Sequence, residues 1–206
     1  MPARTGADYI AGLQERPPTI FMRGEEVKDV TTYPGLRNGV QTLARLYDMQ
    51  HDPALRDEMT YVSPSTGDRV GFSFIAPKTH EDLAQRQTMM RHWARVSCGM
   101  MGRTPDFLNV SIMAMATAGD YFAQNRSEFK ENIRRYYEYI REQDLVLTHT
   151  LVNLQRSRLP QNMSLEDSTA IALSVIEETD AGIVVDGARV LATLPIADSP
   201  GVGYVL

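Results

Sequence analysis

The feature that most constrains the fold is a change of period at Asp144. Before it, apolar residues recur three and four apart over long stretches; after it they crowd into short β-branched runs. Leu36, Val40, Leu43, Leu46 and Tyr47 mark one face of a helix over 33–48. Leu83, Met90, Trp93 and Ala94 mark another, which opens on a capping-box pattern at Thr79 and Asp82 and stops at Gly99. Phe129, Ile133, Tyr136, Tyr137 and Ile140 form an aromatic-rich stripe over 127–143 that reads as core. A short helix over 5–13 leads in, followed by Pro17, Pro18 and a hairpin signal around Arg23 and Gly24. Residues 59–62 and 70–75 flank PSTGD and predict a second hairpin. Beyond Asp144, Leu145 to Asn153 reads as a strand and another strand is expected from about Thr169. The run after Gly182 predicts a hairpin whose two-residue turn is Asp186 and Gly187. Helices followed by strands predict an α+β chain, with a mainly helical domain over 1–143 and the start of a β domain over 144–206.

With 206 residues, 43% of them hydrophobic, the chain can bury a core of ordinary size. A net charge of -5 removes the basic footprint that nucleic-acid binding requires. No apolar run reaches membrane-spanning length, and the N-terminus lacks the apolar core of a signal peptide. The single cysteine, Cys98, excludes an internal disulfide and any zinc or iron-sulfur site built from several cysteines. At a helix end it reads as a small buried hydrophobe, and a reducing, cytoplasmic setting fits the count. No metal-ligand spacing is visible. Gly201 and Gly203 begin a G-x-G pattern with no helix to follow, so the nicotinamide-dinucleotide fingerprint is missing.

The stretch SCGMMGRTPDFLN at 97–109 carries the sharpest chemical signal. Thr104 suits an N-cap, Pro105 the first helical position, and Asp106 the positive end of the helix dipole. Leu108, Val110, Ile112, Met113 and Met115 make this helix apolar on nearly every side, which predicts burial in the middle of a helical layer. Arg103 therefore precedes a helix N-terminus whose unpaired N-H groups face the same way, a site for an anionic or phenolic oxygen. A plainer reading stays open: Arg103 pairs with Asp106 or caps a neighbouring helix.

Three blocks, GMMGRTPDF at 99–107, LTHTLVN at 147–153 and ETDAGIVVDGARVLATL at 178–194, occur in this order. Together they resemble the flavin-dependent 4-hydroxyphenylacetate 3-monooxygenase oxygenase family, with its chlorophenol-monooxygenase relatives. VTTYPGLRNGV at 30–40 and LYDMQHDP at 46–53 add weaker blocks, and the resemblance runs from about Tyr9 to Asp198. It implies an acyl-CoA-dehydrogenase-like architecture without the family's C-terminal helical bundle, the turn-rich stretch after Asp198 departing from the family pattern. It also implies a phenolic substrate, O2, and reduced FAD delivered by a separate flavin reductase, with homo-oligomers in full-length members.

Residue by residue, the resemblance makes Arg103 and His149 catalytic and substrate-binding, and Phe107 a substrate contact. It makes His149, Thr150, Leu151, Gln155, Arg158 and Thr193 flavin contacts. On that reading His149 accepts the phenol proton and Arg103 holds the phenolate by a charge-assisted bond. Phe107 stands where phenylacetate hydroxylases commonly carry tyrosine; it keeps an aromatic wall but loses a hydroxyl, which turns the expected substrate toward a halogenated or nitrated phenol. Leu154 stands where the family more often has proline. In a regular strand Thr148 and Thr150 face away from His149, so a site using both His149 and Thr150 must straddle a strand edge or break its regularity. Taken alone, His149 also reads as a half-buried strand histidine and Thr193 as an ordinary β-branched strand residue. Two rival functions remain. One is a truncated, non-catalytic fragment that acts only in partner association. The other is a flavin-dependent relative of 4-hydroxybutyryl-CoA dehydratase, whose several-cysteine cluster one cysteine cannot supply.

Overall fold

A computed structural model of the chain describes residues 3–100, 104–150, 152–153, 172–180, 182–190, 194 and 196–198. They fall into two compact units, one within Met1–Leu147 and Leu194–Gly201, the other within Thr148–Thr193 and Val202–Leu206.

The first unit begins with α1 (Gly6–Glu15), opened by a full capping box. Thr5 Oγ1 accepts the Asp8 N-H at 3.1 Å, and the Asp8 carboxylate accepts the Thr5 N-H at 2.9 Å. α1 packs on α2 (Arg37–Asp48) so closely that a Cβ on Gly6 would lie 2.5 Å from the Ala44 carbonyl oxygen, which leaves glycine as the residue that fits. α2 starts at Arg37, later than the periodicity predicts, because Tyr33 to Leu36 close a turn in which the Leu36 N-H donates to the Tyr33 carbonyl at 3.0 Å. Between these helices β1 (Phe21–Met22) and β2 (Glu25–Glu26) pair through Arg23 and Gly24 at φ 56° and 85°. Both are left-handed, as the tight hairpin requires.

Short α3 (Arg56–Met59) leads into β3 (Thr60–Val62), which pairs antiparallel with β4 (Arg69–Gly71). The second arm ends sooner than the sequence predicts, since Phe72–Phe74 winds into a 3-10 turn. On a strand, Phe72 and Phe74 would share a face. The turn instead sends Phe72 into a core with Tyr9, Leu43, Leu46, Met89 and Trp93, and Phe74 into a second core with Leu108, Ile112, Tyr137 and Ile140.

Next along the chain come the helices α4 (His80–Val96), α5 (Pro105–Thr117), α6 (Gly119–Ala123) and α7 (Glu128–Glu142). α6 is not anticipated by the periodicity. α5 is not enclosed on every side: Leu108, Asn109, Ile112 and Met113 are buried, while Phe107 and Ala114 are exposed. Its packing partners within this unit, the 3-10 turn and α7, cover one face only.

A largely buried guanidinium closes the unit. Arg4 donates through Nε to the Asp144 carbonyl (2.9 Å), through Nη1 to Asp198 Oδ1 (2.8 Å), and through Nη2 to Asp198 Oδ2 (2.5 Å) and the Tyr47 hydroxyl (3.0 Å). Its backbone N-H and the Gln50 amide both donate to Asp144 Oδ2, at 3.0 and 2.7 Å. Asp144 itself sits in the left-handed region (φ 48°) and ends α7, with the Leu145 N-H returning to the Ile140 carbonyl at 3.0 Å. Asp198 then takes both backbone groups of Val146: its carboxylate accepts the N-H at 2.8 Å, and its own N-H donates to the carbonyl at 2.9 Å. The long strand expected over Leu145 to Asn153 is therefore reduced to β5 (Val152–Asn153), because Val146 is paired with a returning loop and not with a strand.

In the second unit β5 pairs with β8 (Arg189–Val190), and β6 (Ser174–Thr179) pairs with β7 (Gly182–Asp186). The register Thr179↔Gly182 places the hairpin turn between those residues, which corrects the turn expected at Asp186 and Gly187. Gly187 is a corner between two sheets: its φ is 119°, and a Cβ there would lie 2.5 Å from the Ala172 carbonyl oxygen. The start of the strand expected from Thr169, through residue 171, lies outside the described residues.

Asp198→Ala should lower stability by about 3 kcal/mol, because it leaves the Arg4 guanidinium buried without its carboxylate. Urea unfolding measures this, and a loss well under 1 kcal/mol would mean that Arg4 turns to solvent at little cost.

Candidate functional site

The start of α5 is built as its sequence requires, with one substitution of partner. Thr104 is extended (φ -67°, ψ 165°) and Pro105 occupies the first turn, where its missing N-H costs nothing. The Thr104 side chain makes no capping bond to the helix, so the cap rests on backbone shape and proline. Asp106 is buried, and its cation comes from α4: Arg86 Nη2 donates to Asp106 Oδ1 at 2.5 Å, while Nη1 donates to the Ser73 carbonyl at 2.8 Å. One turn further along α5, the Asn109 amide donates to Ser73 Oγ at 2.7 Å, while its fully buried Oδ1 has no hydrogen-bond partner among the described residues. Burial pushes the Asp106 carboxyl above its usual range, opposed by the Arg86 charge and hydrogen bond.

Sequence reasoning missed Arg86. The available signal was its spacing from Met89 and Trp93, which turns a charged residue toward the core side of α4 and demands an acidic partner. Phe107 follows Asp106 directly and is 46% exposed, an aromatic ring presented beside the helix start. Arg103 lies outside the described residues. Cys98 corrects another expectation, being exposed and not buried. Cys98 and Gly99 both turn left-handed (φ 53° and 80°) as α4 ends, and the Gly99 N-H returns to the Ala94 carbonyl at 2.8 Å.

In the second unit His149 is 7% exposed, flanked by half-buried Thr148 and Thr150. Residues 148–150 form no strand, so the alternation that would set Thr150 opposite His149 is not imposed on them. A buried imidazole can accept a proton, and a neighbouring hydroxyl can donate to or accept from a polar ring edge. That donor set suits the heteroatom edge of a flavin. Leu151, Gln155, Arg158 and Thr193 lie outside the described residues, as do Leu154, Gly201 and Gly203. Phe107 belongs to the first unit, and His149 and Thr150 to the second. A cavity of about 150 Å³ lined by Arg4, Leu13, Arg16, Tyr139 and Asp198 contains none of the candidate residues. No helix among the described residues is long and apolar enough to cross a membrane.

Residues 5–204 match the family model described as 4-hydroxyphenylacetate 3-hydroxylase N terminal. The chain is 48% identical over 198 residues to the 4-hydroxyphenylacetate 3-monooxygenase oxygenase component of Thermus thermophilus, covering 95% of this chain and 39% of that protein. It is 30% identical over 192 residues to the oxygenase component of 4-nitrophenol 2-monooxygenase from Rhodococcus sp, covering 92% and 35%. Among solved structures, the oxygenase component of 4-hydroxyphenylacetate 3-monooxygenase complexed with FAD and 4-hydroxyphenylacetate aligns with a TM-score of 0.84 at 48% identity, over 95% of this chain and 40% of that one. An archaeal 4-hydroxybutyryl-CoA dehydratase from N. maritimus aligns with a TM-score of 0.76 at 19% identity, over 94% and 38%, a likeness of fold alone. These alignments bear out the α+β, acyl-CoA-dehydrogenase-like architecture. The chain spans about two fifths of the length of the relatives it matches.

Ser73→Ala should cost about 1–3 kcal/mol in urea unfolding, because it strips the buried Asn109 amide of its bond. An unchanged midpoint would show that the amide finds another acceptor.

Proposed function

The chain belongs to the 4-hydroxyphenylacetate 3-hydroxylase family, and from that premise we propose that it supplies the phenol-holding and flavin-facing elements of the oxygenase component of a two-component monooxygenase. The observation that carries this reading is the burial of His149 in irregular backbone just ahead of β5. An imidazole kept from bulk water and outside a regular strand is suited to take a proton from a bound phenol.

His149 accepts the phenolic proton, which raises electron density at the ring carbon ortho to the oxygen. Arg103, ahead of the α5 N-terminus, holds the resulting phenolate together with the helix N-H groups. Phe107 walls the ring without offering it a hydroxyl. Thr150, Leu151, Gln155, Arg158 and Thr193, with His149, hold the cofactor. Reduced FAD, delivered by a separate flavin reductase, supplies the activated oxygen drawn from O2 when bound. The protein's further task is to keep water away from that chemistry. The phenol is 4-hydroxyphenylacetate or a substituted phenol, and Phe107 favours the latter, in keeping with the 4-nitrophenol relative. The setting is cytoplasmic and the full-length form a homo-oligomer.

One observation favours a second reading, in which the chain acts only by association. Val175, Ile176, Ile183, Val184 and Val185 on the β6–β7 hairpin are all 40% or more exposed, an apolar surface suited to further polypeptide.

Anaerobic titration with reduced FAD separates the two readings: saturable binding supports the oxygenase and its absence removes it. In a reconstituted oxygenase, Arg103→Ala should lower phenol affinity by about tenfold or more while changing reduced-FAD affinity much less. Unchanged phenol affinity would remove Arg103 from the substrate. His149→Ala should release hydrogen peroxide in place of hydroxylated product, and an equal product yield would make the histidine structural. Phe107→Tyr should shift the ratio of kcat/KM values toward 4-hydroxyphenylacetate; no shift would turn residue 107 away from the substrate.

A further inference from the structure

The sequence puts a negative charge where the functional reading least needs one. Asp106 lies in the first turn of α5, three residues after Arg103 and directly before Phe107. A phenolate held at that helix start would meet a carboxylate of like sign in surroundings of low dielectric. The structure supplies the answer from a different helix. Arg86 and Asp106 have side chains only 13% and 8% exposed, so their charges are poorly screened by water and act on their surroundings as a neutral pair. The same guanidinium reaches the Ser73 carbonyl, and Ser73 Oγ holds Asn109, so a single chain of bonds runs from α4 through the 3-10 turn to two successive turns of α5.

We propose that Arg86 is a positioning residue for phenolate binding: it cancels the charge of Asp106 and fixes the first turn of α5, so that this helix end stays electropositive where the ring meets Phe107. The proposal rests on the oxygenase reading of the site. Arg86 touches neither substrate nor cofactor; it acts through Asp106. Two consequences separate this role from one of stability alone. Removing the cation uncovers a buried negative charge, which weakens anion binding beyond any loss of folding. Removing the carboxylate while leaving the cation strengthens it.

The test uses 4-nitrophenolate, at a pH where the phenol is ionised, titrated into the whole chain and followed by its visible absorbance, with thermal melting recorded for each variant. Arg86→Met should weaken binding by about tenfold. Asp106→Asn, close in shape, should tighten it several-fold. The double variant Arg86→Met with Asp106→Asn should return to within about twofold of the unaltered chain, since neither charge remains. Weakening in all three variants, in step with their melting temperatures, overturns the charge-cancelling role. Should Arg86→Met fail to fold, Asp106→Asn decides alone, and binding unchanged or weakened overturns the proposal. If the unaltered chain binds no 4-nitrophenolate, the oxygenase reading falls and this one with it. If it binds and Arg86→Met binds equally well, only the role of Arg86 falls.

Discussion

The first unit depends on one largely buried cation. Arg4 stands near the start of the chain, yet its guanidinium is bonded to Tyr47 at the end of α2, to the Asp144 carbonyl after α7 and to Asp198 in the returning loop. Taking a guanidinium out of water is costly unless its donors are matched, and here four donor contacts meet oxygen, with the Tyr47 ring stacked 4.9 Å from its centre. The matching works only if three distant segments arrive together. The knot therefore acts as a registry device: it contributes less by net energy than by making alternative arrangements of those segments expensive.

That registry sets the path of the backbone beyond α7. With Asp144 left-handed and Val146 held on both backbone groups by Asp198, the chain cannot begin a strand at Leu145. It runs on without regular structure through His149. A histidine in such a segment is oriented by its particular neighbours and not by a pleat, and the same freedom lifts the constraint that would have set Thr150 on the opposite face. On the proposed reading, the irregularity that spoils the strand is what lets the two residues serve one site.

What could be read from the residues was what is decided locally. The boxes at Thr5 with Asp8 and Thr79 with Asp82 need only three residues of context, and both formed as their sequences dictate. The turn at Arg23 and Gly24 did likewise. Asp186 and Gly187 carry a strong local turn signal too, but a glycine forced by the close approach of Ala172 looks the same in sequence as one forced by a hairpin. The partners of Arg4 and Asp106 were illegible for a related reason. Asp198 and Asp144 look like ordinary solvated charges until the distant segment that buries them is known, and the spacing that turns Arg86 toward the core side of α4 does not say which carboxylate it meets. In the site, Arg103 was marked by Thr104, Pro105 and Asp106, whereas His149 stood out only through resemblance, since nothing in LTHTLVN distinguishes it from a strand histidine.

The apolar surface left on the described elements is itself a physical statement. A two-stranded ribbon such as β6–β7 is at best marginally stable in water, and Val175, Ile176, Ile183, Val184 and Val185 are spread along both of its strands. The register puts Val175, Ile183 and Val185 on one face with Glu178, and Ser174, Glu177, Thr179 and Asp186 on the other with Val184, Ile176 being the bulged residue. Such a strand pair has one face that suits water and one, bearing Val175, Ile183 and Val185, that calls for cover by further polypeptide. α5 makes the same point in helical form, apolar nearly all round yet covered on one face within its unit. Since the matched relatives are more than twice as long as this chain, they contain the additional chain that such surfaces require. α5, which carries Phe107, is one of these elements, so on the proposed reading binding beside its start and association with further polypeptide should be coupled, each ordering the surface that the other needs.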